Sequence, residues 1–373
     1  MKNYITLLLL LITASTFSQS TSKIQKKVLL VVSSYGKDNG NTRPGFEFEE
    51  FVDAYNIFTQ NNVKVIIASP KGGSVIADKF DATKEKNKAF LTNENTAFLL
   101  KQTVATGKID ANNFDAIYII GGKGAMFDIP YDPSLQDIIL NLYNRKGTVL
   151  AAVCHGASAF VNVKQQNKYI LDKVKITGFS NEEEHVFMSK WSNEFPFFLE
   201  NALKAKGAIY QKSNFMLENV VTSGKFITGQ NPASTKSSAE AVVKALGNRP
   251  EHRSITKQDA TLGFIKKFLN NQLDKNELRK VSNAGSYHYK LIATYGFILI
   301  QDTKDDKGSL ENGIDLISFS KPYFFNENFQ LLVAKTQIKI GSLKQAKQTL
   351  EELIEKDFLK KEALALLNEI TKS

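Results

Sequence analysis

One cysteine stands in the whole chain, Cys154, followed at once by His155 and Gly156 in "TVLAAVCHGASAF", residues 148 to 160. A thiol beside an imidazole is the pairing used for nucleophilic attack on an electrophilic carbon. A lone thiol cannot form an internal disulfide. It is either a small core hydrophobe or a reactive group, and its neighbours decide between the two. The apolar run before it and the small residues after it describe a strand ending in a tight turn into a helix. That geometry is a nucleophile elbow, which exposes a reactive atom above a sheet. A helix N-terminus would then favour the thiolate, and turn N–H groups would hold an oxyanion.

A second turn carries glycines. "IYIIGGKGAMFD" ends another apolar run with Gly121, Gly122 and Gly124, which let the backbone fold sharply and aim its N–H groups into a cleft. Acidic residues come in two clusters, "GFEFEEF" with Glu49 and Glu50, and "ITGFSNEEE" with Glu182, Glu183 and Glu184. Glu50 shares a helix face with Ala54 and Ile57, at i+4 and i+7, and that face can point inward. The competing role for Glu50 is to complement the helix dipole. Four histidines, His155, His185, His252 and His288, make no metal-binding pattern, so neither a metal nor a cofactor is expected.

These residues need a frame. "KKVLLVVSS", "VKVIIASP", "FDAIYIIGG" and "GTVLAAVC" are short, continuous apolar runs suited to strands buried on both faces of a parallel sheet. Between them, Phe51, Tyr55 and Phe58, then Leu135, Ile138, Ile139 and Leu142, repeat at helical spacing. Strand, helix, strand at this rhythm predicts right-handed βαβ units in an open α/β sheet, whose ligands sit beyond the carboxyl ends of the strands.

Composition bounds the partners. The 373 residues are 42% hydrophobic and 23% charged, ordinary for a globular protein. The net charge of +10 is spread over scattered lysines, without a basic stripe interleaved with aromatics, which argues against nucleic acid. The opening "MKNYITLLLLLITASTFSQS" has a basic start, a short apolar core and small residues before a cleavage site. It predicts a signal peptide over residues 1–20 and an exported protein, periplasmic or extracellular. Its apolar core is shorter than the ~20 residues that span a bilayer, so no membrane span is expected in the mature chain.

Taken together, "TRPGFEFEEFVDAYNIF", "VIIASPKGG", "YIIGGKGAMFD", "AAVCHGASAF", "ITGFSNEEE" and "FITGQNPAS" resemble, in order, the ThiJ/PfpI family of the glutamine-amidotransferase-like superfamily. The branch they resemble is that of the glutathione-independent glyoxalases, or glyoxalase III. The resemblance implies a flavodoxin-like three-layer α/β sandwich over residues 24–248. It also implies Cys154 as nucleophile, His155 beside it, Glu184 or its neighbour Glu183 as acidic partner, and Glu50 or its neighbour Glu49 beside the sulfur. Gly121, Gly122, Lys123 and Gly156 fall at the implied oxyanion and substrate-binding positions. Where glyoxalase-type members read Gly-Gly-His-Gly, this chain has Lys123, which changes the charge at the pocket rim and suits an acidic or larger carbonyl compound.

The implied activity converts a 2-oxoaldehyde such as methylglyoxal to a 2-hydroxy acid, or is a related deglycase activity, with His155 or Glu50 moving the proton. An amidase or peptidase using the same cysteine is one alternative. A stress chaperone or interaction protein with a redox-sensing cysteine is another. The resemblance also implies a homodimer.

Beyond "EAVVKALGNRPEHRS" the α/β rhythm stops. A helical linker is expected over 249–280 and an all-α domain over 281–373. "NFQLLVAKTQIKIGSLKQAKQTLEELIEK" resembles a tetratricopeptide repeat, with a turn at Gly341 and Ala346 at a close-packing place. Gly313 occupies a similar small-residue slot 33 positions before Ala346, close to the repeat period. Such a tail either offers a concave face to a protein partner or packs on the enzyme or a second subunit.

Overall fold

The computed structural model of the chain describes residues 25–187, 190–273, 285–303 and 305–372. The expected signal peptide, residues 1–20, and residues 274–284 of the expected linker and tail lie outside them.

Among the described residues, seven strands form the main sheet: β1 (Lys27–Val31), β2 (Lys64–Ser69), β3 (Val104–Ala105), β4 (Ala116–Ile119), β5 (Val149–Val153), β6 (Val220–Ser223) and β7 (Phe226–Gly229). Their order is β6-β7-β5-β4-β1-β2-β3. The strands expected from the apolar runs are β1, β2, β4 and β5, all mutually parallel where they touch. The sheet is not wholly parallel, because β6 pairs antiparallel to β7. The two are joined by a tight turn at Gly224, which has φ +58°, and so short a connection can only reverse the chain. β1, β4 and β5 are fully buried from Val28 onward, since helices cover both faces.

α1 (Phe48–Gln60) and α7 (Thr235–Ala245) pack together, and α7 also lies on β5 and β7. α4 (Pro133–Asn144) packs on β4 and β5, and the shorter α2 (Glu85–Thr92), α3 (Glu94–Leu99), α5 (Asn181–Val186) and α6 (Leu199–Ala205) complete this part. The chain leaves β1 in one direction and returns to β4 on its other side. The carboxyl ends of the neighbours β1, β4 and β5 therefore open together at a topological switch point.

Further helices follow among the described residues: α8 (Lys257–Leu269), α9 (Tyr289–Asp302), α10 (Lys307–Ser320), α11 (Glu327–Lys339), α12 (Leu343–Glu355) and α13 (Lys360–Lys372). Three of their starts are fixed by side-chain caps: a Thr256–Asp259 capping box, Asp306 and Asn326. Gly341, at φ +80°, makes the turn between α11 and α12, and Ala346 is fully buried. Phe319 and Phe324 border a core shared with Phe215 and Leu217, so the helices dock on the loop before β6. Tyr295 stacks on Phe215 at 4.4 Å between ring centroids, and its hydroxyl donates to the Phe215 carbonyl at 3.1 Å. None of the described helices is long and apolar enough to cross a membrane.

α9 and α10 approach closely enough to need two glycines. A Cβ on Gly313 would stand 2.5 Å from Ile300 Cγ1 and 2.9 Å from the Gly296 carbonyl oxygen. Gly313→Val should therefore destabilise the helical region by about 1–3 kcal/mol. A Cβ on Gly308, on the exposed first turn of α10, would meet only the Asp306 carboxylate at 3.8 Å, so Gly308→Ala should stabilise it by up to about 1 kcal/mol. Urea midpoints monitored by the fluorescence of the tyrosine-rich α9 would check both signs.

Candidate active site

Cys154 follows the last residue of β5 and takes φ +57°, a left-handed conformation that costs a non-glycine residue roughly 1–2 kcal/mol. The chain then runs as a 3-10 helix to Phe160. Gly156 lets that run lie against β4, because a Cβ there would sit 2.3 Å from the Ile119 carbonyl oxygen. The elbow expected from the sequence is present. The α-helix expected after it is a seven-residue 3-10 run instead, since small residues from Gly156 to Ala159 are wedged under β4 and α4.

Three consecutive glutamates sort themselves by helical phase on α5. Glu184 points at His155, with its Oε1 2.5 Å from Nε2, and both are buried. His155 Nδ1 lies 3.4 Å from the Cys154 sulfur. Glu183 turns the other way. It closes a capping box with Ser180, and its Oε1 accepts from Met216 N, Gln230 Nε2 and Asn231 Nδ2 at 2.7–3.0 Å. Glu182 pairs with Lys212 on the outer side. Of the two candidates for the partner of the histidine, geometry therefore brings Glu184 to the imidazole and Glu183 to the β7 end. Phe179 and Phe195 wall the imidazole at 4.6 and 5.7 Å.

The other acidic cluster resolves in the same way. Glu49 faces outward to Lys84 and Lys86. Glu50 is 1% exposed, on one buried face with Ala54 and Ile57. Its Oε2 accepts from the Gly121 N–H at 2.9 Å, while its Oε1 is buried without a hydrogen-bond partner. Gly121 must be glycine: a Cβ there would lie 2.7 Å from Cys154 Cβ and 2.9 Å from Glu50 Oε2. The loop of Gly121 is held by the segment before α1, through Glu47 N donating to Gly121 O and Gly124 N donating to Gly45 O. Gly122, at φ +94°, leaves no room for a side chain against Glu47.

Two expectations change. The Gly121 N–H is taken by Glu50, so it is not free to hold an oxyanion. Lys123 pairs with Asp78, with Nζ 3.6 Å from Oδ2, so its charge is partly met there. The thiol also differs from the expected thiolate. Cys154 is 3% exposed, and burial followed by the nearby Glu50 charge pushes it well above the usual thiol range, against the pull of the His155 N–H. Burial, then the charge of Glu47, likewise raises Glu50 well above ordinary carboxylates.

Glu47 joins the site without having been expected there. Its side chain accepts from the Glu50 N–H at 2.5 Å as the N-cap of α1, and burial pushes its pKa up to about 7. The E-x-x-E spacing of Glu47 and Glu50, N-cap and N3, is the signal in the sequence that could have found it.

A carboxyl held at about 7 in the fold binds its proton more tightly there than at its ordinary 4.5. Its contribution to stability is therefore full below pH 4.5 and is lost as the pH rises towards 7. Glu47→Gln keeps an acceptor for the cap and removes the titration. The fall in denaturation midpoint from about pH 5 to about pH 7.5 should be smaller in the variant than in the wild type; equal falls would assign the dependence to other groups.

The α/β part is similar to known proteins. The model of the DJ-1/PfpI family matches residues 41–245, just over half of the chain. A glutathione-independent glyoxalase of Schizosaccharomyces pombe is 31% identical over 243 residues, 59% of this chain and 98% of the relative. Glyoxalase 3 of Candida albicans is 28% identical over 236 residues, again 59% and 98%. A crystal structure of glyoxalase III from Candida albicans superposes with a TM-score of 0.54 at 25% identity, covering 59% of this chain and 97% of its own. With a family match over more than half its length, the chain belongs to the DJ-1/PfpI family.

Proposed function

We propose that the protein is an enzyme of this family that converts 2-oxoaldehydes to 2-hydroxy acids without glutathione, using Cys154 as nucleophile. The observation that carries this reading is the left-handed Cys154, flanked on one side by Glu50 and on the other by the His155–Glu184 pair. Two relatives with nearly full-length matches bear the name glyoxalase.

With Nε2–H donating to Glu184, the Nδ1 lone pair of His155 faces the sulfur and can accept a proton. The thiol adds to the aldehyde carbon. A carbon–sulfur bond forms, and the sulfur's proton passes through Glu50 or His155 to the carbonyl oxygen, giving a hemithioacetal. His155 then removes the proton on that carbon and returns it to the neighbouring carbon through an enediol. The aldehyde carbon is oxidised to a thioester and the ketone carbon reduced to an alcohol, so no external redox partner is needed. Water cleaves the thioester and restores the thiol. A protonated Glu50 suits this sequence, because the attacking sulfur needs an acid for the developing alkoxide.

Methylglyoxal supplied without glutathione should yield lactate. Cys154→Ala should abolish the reaction, and Glu50→Gln and His155→Ala should each reduce kcat/KM by at least about 100-fold. Glu182→Gln, on the outer side of α5, should leave it unchanged. Equal lactate formation by wild type and Cys154→Ala would overturn the assignment.

A further inference from the structure

Two carboxyls share one turn at the start of α1, and both hold Gly121. The Gly121 N–H donates to Glu50 Oε2 at 2.9 Å, and the Gly121 carbonyl accepts the Glu47 N–H at 3.0 Å. The Glu47 side chain turns back as the N-cap and accepts the Glu50 N–H at 2.5 Å. Glu47 is half-buried, whereas Glu50 is 1% exposed. The pair is therefore fixed by backbone bonds beside the residue that borders Cys154, and solvent reaches one member far better than the other.

The nearby cations have other partners. Lys84 pairs with Glu49, Lys86 with Asp53 and Glu49, Lys123 with Asp78, and Lys236 with Asp259. Lys257 and His288 are exposed, at the start of α8 and just before α9, on the other side of the cavity that Glu50 borders. Towards β4 and β5, Glu50 faces the Cys154 thiol and then Tyr118, whose hydroxyl is bonded to Ser238. The His155 imidazole is held by Glu184. Glu49 and Asp53 add negative charge from the same helix. Two carboxyls this close, poorly solvated and without an ion pair among the described residues, lose their protons in two separate steps. After the first step the remaining proton favours Glu50, the member that water does not reach. The proposed reaction uses that proton for the developing alkoxide.

We propose that Glu47 is a positioning residue of the reaction: its carboxylate, fixed at the N-cap of α1, keeps the proton on Glu50 and sets the alkaline limit of turnover. This deepens the proposed function and rests on its use of Glu50 as the acid beside Cys154. The titration of the two groups agrees with the geometry. Glu47 ionises at about 7, and above that pH its charge is, after burial, the largest cause that holds Glu50 above ordinary carboxylates. Removing the charge lets Glu50 ionise at lower pH. An ionised Glu50 supplies no proton to the alkoxide and repels a thiolate, so turnover then fades at lower pH.

The test follows the Glu50 carboxyl and turnover in the full chain across the range above neutrality. Carboxyl-carbon NMR of protein labelled in glutamate reports the titration, with Glu50→Gln to assign the resonance. Glu47→Gln and Glu47→Ser keep an N-cap acceptor without the charge. In each, the Glu50 titration and the alkaline fall in kcat/KM for methylglyoxal should both move down by about 1 pH unit. Glu47→Asp keeps the charge and the cap, and should return both towards wild type. Two uncharged variants are used so that one misfolded protein, detected by circular dichroism, leaves the other to decide. An unmoved Glu50 titration in a folded uncharged variant overturns the inference, as does a moved titration with an unmoved alkaline fall. Where wild type makes no lactate, the functional reading fails and the titration alone decides. A downward shift then upholds Glu47 as the keeper of the Glu50 proton, and no shift overturns that as well.

Discussion

The site depends on the absence of one methyl-sized group. Because Gly121 has no Cβ, the Glu50 carboxyl and the Cys154 side chain can both crowd the end of β4. Any larger residue there would force them apart by displacing backbone that is itself tied to the segment before α1. The consequence is electrostatic. Two unit charges about 4 Å apart repel by about 4 kcal/mol at an effective dielectric of ~20. That exceeds the ~1 kcal/mol net worth of an ordinary hydrogen bond such as Gly121 N–H to Glu50. Sulfur and carboxyl cannot both be ionised, and burial disfavours even the first ionisation. On the proposed function, the thiol gives up its proton to a neighbour or to the substrate's oxygen as the carbon–sulfur bond forms.

The parts of this arrangement that obey a local period are legible in the sequence. The four parallel strands β1, β2, β4 and β5 show as continuous apolar runs, the inward face of α1 as Glu50, Ala54 and Ile57, and the elbow as an apolar run meeting Cys154. What is not legible depends on tertiary contact. The two acidic runs offer neighbours one residue apart, and only the helical phase of α1 and α5 separates Glu50 from Glu49 and Glu184 from Glu183. An acidic thiol is the wrong expectation because it weighs a helix end and leaves out desolvation. The orientation of Lys123 depends on Asp78, 45 positions away in sequence, and no short motif encodes it. The antiparallel β6 escapes notice because "VVTSGKF" is too short to show alternation.

The added helices are readable as helices from their apolar stripes, but their docking is not. The loop that receives them, around Phe215, has no periodic pattern, and its partner Tyr295 lies 80 residues on. The tie reaches the candidate active site. Tyr295 holds the Phe215 carbonyl, the next residue's N–H is bonded to Glu183 at 2.8 Å, and Glu183 sits beside Glu184 on a helix of only six residues. A helix that short has little stability of its own and takes its position from such anchors.

It follows that Glu184 is held from two directions. From the α/β side, Gln230 and Asn231 at the end of β7 bond Glu183. From the helical side, the stacked Tyr295 and Phe215 fix the peptide that donates to the same oxygen. An aromatic pair of this kind adds roughly 0.5–1.5 kcal/mol beyond its buried area, and a hydrogen bond to a charged group adds about 1.5–3 kcal/mol. These add to the ~1 kcal/mol capping interaction at Ser180 and to the Asn181 N–H bond to Glu200, which also hold α5. The imidazole beside the sulfur is thus aligned by residues on both parts of the chain, and the added helices belong to the scaffold of the site.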